Sequence, residues 1–232
     1  MPVEERQQDF QAIEREYDHL YRETPIRDED RAYRFHIKNI LRIQPNALSF
    51  LDVACGAGYF LREAVWRTQG KGNYTGTDIS SVALDLAKKQ YPRATYVKAI
   101  AEELPLPDSQ FDAVSCLGSM EHFMDIAKAI RQMIRVAKPE ALFYIMVPNI
   151  FWYKDLLAVL FKGSRLTRNQ THEHFASLEE WRELLEENGL HVTKTQKYNG
   201  IAKNPFKQMI KDAIIPLRFS YHFIFICRKS HG

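Results

Sequence analysis

A glycine-broken turn that follows an apolar run constrains the fold of this chain more than any other feature. The apolar run 47–53 leads into Gly56 and Gly58, and a helical pattern occupies 59–66. A strand, a tight glycine turn and a helix in this order open a nucleotide-binding half of a doubly wound sheet. The glycines let a ligand approach the backbone, and the helix amino terminus offers N–H groups to an anion.

The residues that flank the turn bear on which ligand it holds. Asp52 lies four positions before Gly56, and a carboxylate there suits a ligand with a positively charged end, such as an amino-acid ammonium. A dinucleotide-binding turn carries a third glycine for close helix packing, and Leu61 stands at that position here. Both residues disfavour a nicotinamide-dependent oxidoreductase, which stays the least favoured alternative.

A second acidic residue ends the second predicted strand. Asp78 follows the glycine turn by about 20 residues, where these folds place a carboxylate that binds a ribose. A carboxylate can accept hydrogen bonds from both vicinal hydroxyls of a ribose. Asp78 also suits the cap of the next helix, but its distance from the turn favours the ribose role. We therefore predict that Asp78 and Ile79 contact a nucleoside.

The pattern Asp-x-x-x-Gly-x-Gly resembles the first motif of the class I S-adenosylmethionine-dependent methyltransferases. The resemblance implies that S-adenosylmethionine is the cofactor. It also implies that the turn residues contact this cofactor, namely Asp52, Ala54, Cys55, Gly56 and Gly58.

Two later segments resemble the ubiquinone and menaquinone methyltransferase group. The segment 101–112 begins Ala-Glu-Glu-Leu-Pro-Leu-Pro, and in that group the Ala-Glu pair lies beside the adenine. Ala101 and Glu102 are therefore implied to bind the cofactor, although Ile100 stands where the group usually has Asp or Gly. The end of the fourth strand resembles the group as well, and it implies a cofactor contact from Leu117.

Two histidines are candidates for acid–base chemistry. His122 follows the fourth strand, at the edge where open α/β sheets bind ligands, and ordering of its loop is the alternative role. His174 lies in a segment that resembles the loop facing the acceptor pocket of many small-molecule methyltransferases. A general base suits an oxygen acceptor, so O-methylation is favoured. His172 and His174 form a His-x-His pair without an obvious third ligand, and we predict no metal.

Composition indicates which classes of partner and which cellular compartment to expect. A net charge of +3 over 232 residues predicts no nucleic-acid partner. Cys55, Cys116 and Cys227 are widely spaced and indicate neither a metal site nor a disulfide framework. The polar amino terminus lacks a secretory signal, and no apolar run reaches the roughly 20 residues of a membrane-spanning helix. A cytoplasmic protein is expected, and its oligomeric state is not indicated.

Alternating strand and helix patterns predict an α/β fold. We expect a Rossmann-like seven-stranded, mostly parallel sheet with an antiparallel last strand. Residues 1–44 are predicted to form a helical amino-terminal cap and 45–232 the methyltransferase domain, with inserts at 150–176 and 199–219. The strands are expected near 48–53, 73–77, 94–98, 111–116, 141–147, 191–198 and 220–228, and the helices near 58–69, 80–90, 122–137 and 177–188.

The inserts are the segments expected to select the acceptor. Residues 150–161 are very apolar, and 199–219 combine large apolar residues with four cations and one acid. We expect the second insert at the cofactor-proximal half of the sheet. It suits a lid over an apolar, aromatic or lipid-like small molecule, or a peripheral contact with an anionic membrane. A plain solvated helix face is slightly favoured over both. Methyl transfer is the predicted function, and a non-catalytic S-adenosylmethionine-binding subunit is the alternative.

Overall fold

A computed structural model of the chain describes residues 3–23, 30–162 and 174–230. Within these ranges the helices are α1 (Val3–Glu23), α2 (Asp30–Ile43), α3 (Tyr59–Arg67), α4 (Ser81–Gln90), α5 (Ile126–Val136), α6 (Tyr153–Lys162), α7 (Leu178–Glu187) and α8 (Pro205–Ile214). The strands are β1 (Ser49–Val53), β2 (Asn73–Asp78), β3 (Thr95–Lys98), β4 (Phe111–Leu117), β5 (Ala137–Pro148), β6 (Leu190–Tyr198) and β7 (His222–Lys229).

The strands form one sheet in the order β3-β2-β1-β4-β5-β7-β6. Strands β1 to β5 pair in parallel, and β7 runs antiparallel to both β5 and β6. The predicted seven-stranded α/β fold is confirmed. The chain reverses its direction of crossover between β1 and β4, and such a switch point opens a crevice at the carboxyl ends of the strands.

Alternation along the strands creates two buried layers. On β5, Leu142 and Tyr144 pack in one layer, whereas Phe143 and Ile145 pack in the other. Residues of α2, α3 and α4 complete the first layer, and residues of α5 and α7 complete the second. Successive side chains of a strand point to opposite faces, so this near-continuous apolar run marks a strand buried on both sides.

The two amino-terminal helices occupy different places. Helix α2 packs on the sheet through Ile37 and Ile40, and its His36 Nδ1 lies 3.2 Å from the Tyr144 hydroxyl. Burial lowers the pKa of His36 to about 3, so this ring is neutral. Helix α1 instead contacts α4 at the carboxyl edge of the sheet. Of the predicted cap, α1 is therefore the part that covers the ligand edge.

The helix expected at 122–137 begins later than predicted. The Asp125 side chain accepts a hydrogen bond from the Lys128 N–H at 2.8 Å and caps a helix that starts at Ile126. Residues Met120–His122 form a separate 3-10 turn. His122 consequently lies on the connection between β4 and α5.

The insert 199–219 contains α8 and joins β6 to β7. Its expected position at the cofactor-proximal half of the sheet is wrong, because β7 and β6 form the edge opposite to β2 and β3. The connection does leave from the carboxyl ends of the parallel strands, since β6 runs in the same direction as β5. The other insert, 150–176, contains α6, and its residues 163–173, with His172, lie outside the described ranges.

Candidate active site

A cavity of about 140 Å³ lies between α1 and the carboxyl ends of the parallel strands. Strand ends and the loops after them supply one wall, and α1 supplies the other. Its lining residues are Phe10, Ile13, Tyr17, Tyr21, Ala54, Asp78, Ile79, Ala99, Ile100, Ala101, Glu102, Gly118, Ser119, His122, Phe123 and Met124. Six of the predicted site residues are among them: Ala54, Asp78, Ile79, Ala101, Glu102 and His122.

Asp78 lines the cavity at the end of β2. Its Oδ2 accepts a hydrogen bond from the Gly56 N–H at 2.8 Å, and its Oδ1 accepts one from the Ser80 N–H at 2.9 Å. Burial raises the pKa of Asp78 to about 6, against the opposing effect of these amide hydrogen bonds. The carboxylate thus connects the glycine turn to the start of α4.

Glu102 holds a loop rather than presenting a free carboxylate. The side chain is buried, and its Oε1 accepts hydrogen bonds from the N–H groups of Met124 at 2.9 Å and Asp125 at 3.2 Å. This contact joins the turn after β3 to the loop that follows His122. Ala101 and Glu102 both line the cavity.

His122 is the titratable imidazole of the cavity. Its ring meets the Tyr17 ring of α1 edge-on, with 6.4 Å between the ring centroids. His122 Nε2 lies 3.9 Å from Oε1 of the buried Glu121. The imidazole thus lies at the cavity wall next to a buried carboxylate.

The glycine turn is present as predicted, but α1 covers it. Ala54 and Gly56 adopt left-handed φ angles of 56° and 52°, which permit the sharp reversal after β1. The Tyr21 side chain lies directly over Gly56. Burial, with a contribution from the nearby Asp78, raises the pKa of the Tyr21 hydroxyl above its ordinary range. A ligand that approaches the turn must displace Tyr21.

Asp52 lies beneath the turn and outside the cavity lining. The Ser115 hydroxyl donates to Asp52 Oδ1 at 2.6 Å, and only 3% of the residue is exposed. Burial raises the pKa of Asp52 to about 7, against the effect of the Ser115 hydrogen bond. Four other predicted residues also lie outside the lining: Cys55, Gly56, Gly58 and Leu117. Burial raises the pKa of Cys55 well above its ordinary value, so the thiol stays protonated.

Helix α1 is fastened to the sheet edge by two acidic side chains. Asp18 Oδ1 accepts hydrogen bonds from the Ser80 hydroxyl at 2.6 Å and from the Val82 N–H at 3.1 Å. Glu14 forms an ion pair with Lys98 at the end of β3, with 2.5 Å between the charged atoms. These contacts hold α1 across the cavity.

His174 is not brought into the cavity with His122. Its backbone N–H donates to the Glu121 carbonyl oxygen at 2.7 Å, which places the start of the 174–177 segment next to the His122 turn. The side chain is exposed, and its ring packs edge-on against Trp181 with 5.4 Å between centroids. Of the two predicted histidines, His122 is the one that lines the cavity.

A family model described as a methyltransferase domain matches residues 26–195. The chain belongs to this methyltransferase family. The resemblance to class I S-adenosylmethionine-dependent methyltransferases is thereby confirmed.

Two curated relatives extend the comparison. Over 116 residues the chain is 34% identical to a demethylmenaquinone methyltransferase of Chlorobaculum tepidum. The aligned region covers 49% of this chain and 47% of the relative. Over 162 residues it is 28% identical to the ubiquinone/menaquinone biosynthesis C-methyltransferase of Geotalea daltonii. This aligned region covers 66% of this chain and 68% of that relative. The match to the first relative thus spans about half of that relative's length.

The fold of this family member also matches solved structures. The 4+2 cyclase SpnF superimposes with a TM-score of 0.67 at 18% identity, covering 96% of this chain and 97% of the cyclase. This likeness concerns the fold alone.

Sequence reasoning missed cavity residues on both walls. Phe10 and Ile13 belong to α1. The apolar spacing of this helix predicted a buried face, but it did not identify the cavity that the face lines. Gly118 and Ser119 directly follow the predicted Leu117, and the left-handed φ of 66° at Gly118 turns the chain into the cavity wall. In the ranges that the structure describes, no cluster of three metal-ligating side chains occurs.

Proposed function

We propose that this protein transfers the methyl group of S-adenosylmethionine to a small, apolar, aromatic acceptor with an ionisable hydroxyl. One observation carries the proposal: the Asp78 carboxylate, the turn after β3 and an imidazole line one cavity whose opposite wall is apolar and aromatic. Asp78 and the Ala101–Glu102 turn stand on the cofactor side. His122 stands beside the aromatic residues of α1.

The residues around the cavity fit this cofactor. The two oxygens of Asp78 are suited to a ribose diol, and the 100–102 turn is suited to an adenine edge. Helix α3 begins after Gly58 without a side-chain cap among the described residues, so its first N–H groups suit a carboxylate. Buried Asp52 lies behind the same turn and favours a cationic group in front of it. Binding at Gly56 requires Tyr21 to swing away.

The chain has three tasks in the reaction. If bound, S-adenosylmethionine would supply a sulfonium methyl group: the carbon–sulfur bond would break as the acceptor attacks the methyl carbon, and the sulfur would leave as a thioether. The cavity holds the attacking atom in line with that methyl, and α1 excludes water from it. His122 accepts the hydroxyl proton of the acceptor at a ring nitrogen, and this makes the acceptor nucleophilic.

The acceptor class is supported by the names of the relatives. They include demethylmenaquinone methyltransferases and a 2-phytyl-1,4-naphtoquinone methyltransferase, whose names contain a quinone with an aromatic ring system. A deprotonated aromatic hydroxyl is nucleophilic at its oxygen and at the adjacent ring carbon. Proton removal by His122 thus serves the O-methylation predicted from the sequence, and it serves equally the C-methylation named for one relative.

A turnover assay with product analysis tests the proposal. The full chain is incubated with S-adenosylmethionine and short-chain analogues of reduced, unmethylated naphthoquinols and phenols. We expect S-adenosylhomocysteine and a methylated product, and NMR of the product assigns the methyl group to oxygen or carbon. Binding of S-adenosylhomocysteine without turnover of any acceptor would instead favour a non-catalytic subunit. Absence of binding would remove the cofactor assignment.

A further inference from the structure

Exposed apolar side chains are concentrated on two helices. Among the described residues, 11 of the 14 exposed large hydrophobic side chains lie within 151–161 and 206–219. Leu160, Phe161 and Ile214 are each more than 70% exposed, at 73%, 75% and 72%. We define the α6–α8 face by six of these side chains: Leu157, Leu160, Phe161, Phe206, Met209 and Ile214. Exposed apolar side chains concentrated in this way mark an interaction surface.

The two helices leave the sheet at the same edge and are tied together at their bases. The Asn149 side-chain amide, just before α6, donates to the carbonyl oxygens of Arg218 at 2.9 Å and Ser220 at 2.8 Å. The Trp152 ring packs on Tyr221 with 4.5 Å between centroids. Because β5 and β6 both end at this edge, the α6–α8 face lies on the side of the molecule where the cavity is located.

Cations accompany the apolar residues. Segments 150–161 and 199–220 contain five Lys and Arg residues against two Asp, which gives a net charge of +3. The whole chain also carries +3, so the remaining 198 residues are balanced. The side chains of Lys154, Lys203, Lys207 and Arg218 are exposed. The segments that carry most of the exposed apolar residues thus have a net charge equal to that of the whole chain.

This combination fits a lipid surface better than a protein partner. Protein interfaces are depleted in Lys, whereas helices that lie on membranes combine Leu, Ile and Phe with Lys and Arg. No helix in the described ranges has the length and hydropathy needed to cross a bilayer. We propose that the α6–α8 face docks on the surface of an anionic phospholipid bilayer. An apolar acceptor could then reach the cavity edge without crossing water.

Vesicle binding by the full chain tests this docking without cofactor or acceptor. Wild type is mixed with vesicles of phosphatidylcholine alone and with vesicles that also contain phosphatidylglycerol. We expect cosedimentation with the anionic vesicles only, and weaker binding at high salt. The double variant Lys203→Glu/Lys207→Glu should bind at least about 25-fold more weakly, since one cation near such a surface contributes about fivefold. Leu160→Ser/Ile214→Ser should lose at least about tenfold.

Matched controls separate this inference from the proposed function. Lys71→Glu/Lys89→Glu and Leu48→Ser/Trp66→Ser change exposed residues elsewhere and should bind vesicles like wild type. All four variants should bind S-adenosylhomocysteine normally, which reports folding and an intact cavity. Wild type that ignores anionic vesicles, or variants of the face that bind as tightly as wild type, would overturn the proposal. A dimer that the face variants dissociate, without vesicle binding, would overturn it too and assign the face to self-association.

Discussion

Asp78 is the single residue on which cofactor binding should depend most. Its carboxylate lines the cavity and holds the Gly56 and Ser80 amides. Asp78→Asn preserves the shape and one acceptor oxygen but removes the charge. We expect S-adenosylhomocysteine affinity to fall by roughly 10- to 150-fold, or about 1.5–3 kcal/mol for hydrogen bonds to a charged group. Calorimetric titration measures this loss. Asp85→Asn, whose side chain is 79% exposed, is the control, and equal affinities of the two variants would remove Asp78 from the site.

Asp52 should make the stability of the protein depend on pH. Its pKa is about 7 in the folded chain, raised chiefly by burial, and about 3.9 in an unfolded chain. The folded state therefore binds the proton more tightly, so stability decreases as pH rises from about 4 to 7. Asp52→Asn keeps an acceptor for Ser115 and removes this decrease. We expect it to stabilise the protein at pH 8 by on the order of 2 kcal/mol after the cost of burying an amide.

Thermal unfolding of the Asp52→Asn variant at pH 4 and pH 8 measures the effect. The midpoint should exceed that of wild type at pH 8 and not at pH 4. Equal destabilisation at both pH values would mean that the folded-state pKa of Asp52 is not raised. Asp85→Asn, exposed on α4, should follow wild type at both pH values.

His122 should matter to turnover and His174 should not. Loss of a positioned general base typically lowers the rate about 10²- to 10⁴-fold. We expect His122→Gln to lower kcat within that range while S-adenosylhomocysteine affinity stays unchanged. His174→Gln is the matched control because the His174 side chain is exposed and packs against the Trp181 ring, outside the cavity lining. Full turnover by His122→Gln at neutral pH would show that the acceptor loses its proton without this imidazole.

At the residue scale, sequence reasoning located backbone positions better than side-chain directions. The turn spacing correctly placed Asp52 next to the glycines, but strand alternation sends its side chain to the sheet face that also carries Phe50 and Ser115. That face is buried beneath α2 and α3. Alternation from the apolar Phe50 was the available signal for this burial. The packing of His174 on Trp181 left no comparable signal in the sequence.

At the element scale, α1 acts as a cover over the cavity, and Asp18 should control how long it stays closed. Asp18→Ala removes the hydrogen bonds from the Ser80 hydroxyl and the Val82 amide. A lost capping contact costs about 1 kcal/mol, so we expect roughly fivefold faster dissociation of S-adenosylhomocysteine. Stopped-flow measurements test this rate. Gln11→Ala, exposed on the same helix, should dissociate like wild type, and an unchanged rate for Asp18→Ala would contradict a covering role.

The elements themselves were largely predictable, and their partners were not. Apolar runs bounded by Gly56 or by prolines predicted the strands, because buried parallel strands require such runs. The spacing of Tyr17 and Tyr21 predicted an apolar helix face. A periodic pattern shows that a face is buried and does not identify what it packs against. Tertiary contacts decide these partners: α1 covers the glycine turn, held by contacts such as that of Asp18 with Ser80. Helix α2 packs on the sheet instead.

On the scale of the whole molecule, the candidate functional features lie at one end of the parallel strands. The cavity, the cover α1 and the α6–α8 face all lie at the carboxyl ends of the parallel strands. The amino ends of the parallel strands carry the short connections that lead from helices into strands. Ligand binding should therefore stabilise the fold through contacts that span β1, β2, β4 and α1, and not through the distant β6–β7 hairpin.

The corresponding prediction concerns thermal unfolding of the full chain with ligand. A ligand at about 100 times its Kd stabilises the folded state by about 2.7 kcal/mol. For a chain of this size each kcal/mol corresponds to about 2–4 °C, so S-adenosylhomocysteine should raise Tm by about 5–11 °C. NADH at the same concentration should leave Tm unchanged, because Leu61 replaces the glycine of a dinucleotide turn. The Asp78→Asn variant at the same ligand concentration should show a smaller shift. A larger shift with NADH than with S-adenosylhomocysteine would contradict the cofactor assignment and restore the oxidoreductase alternative.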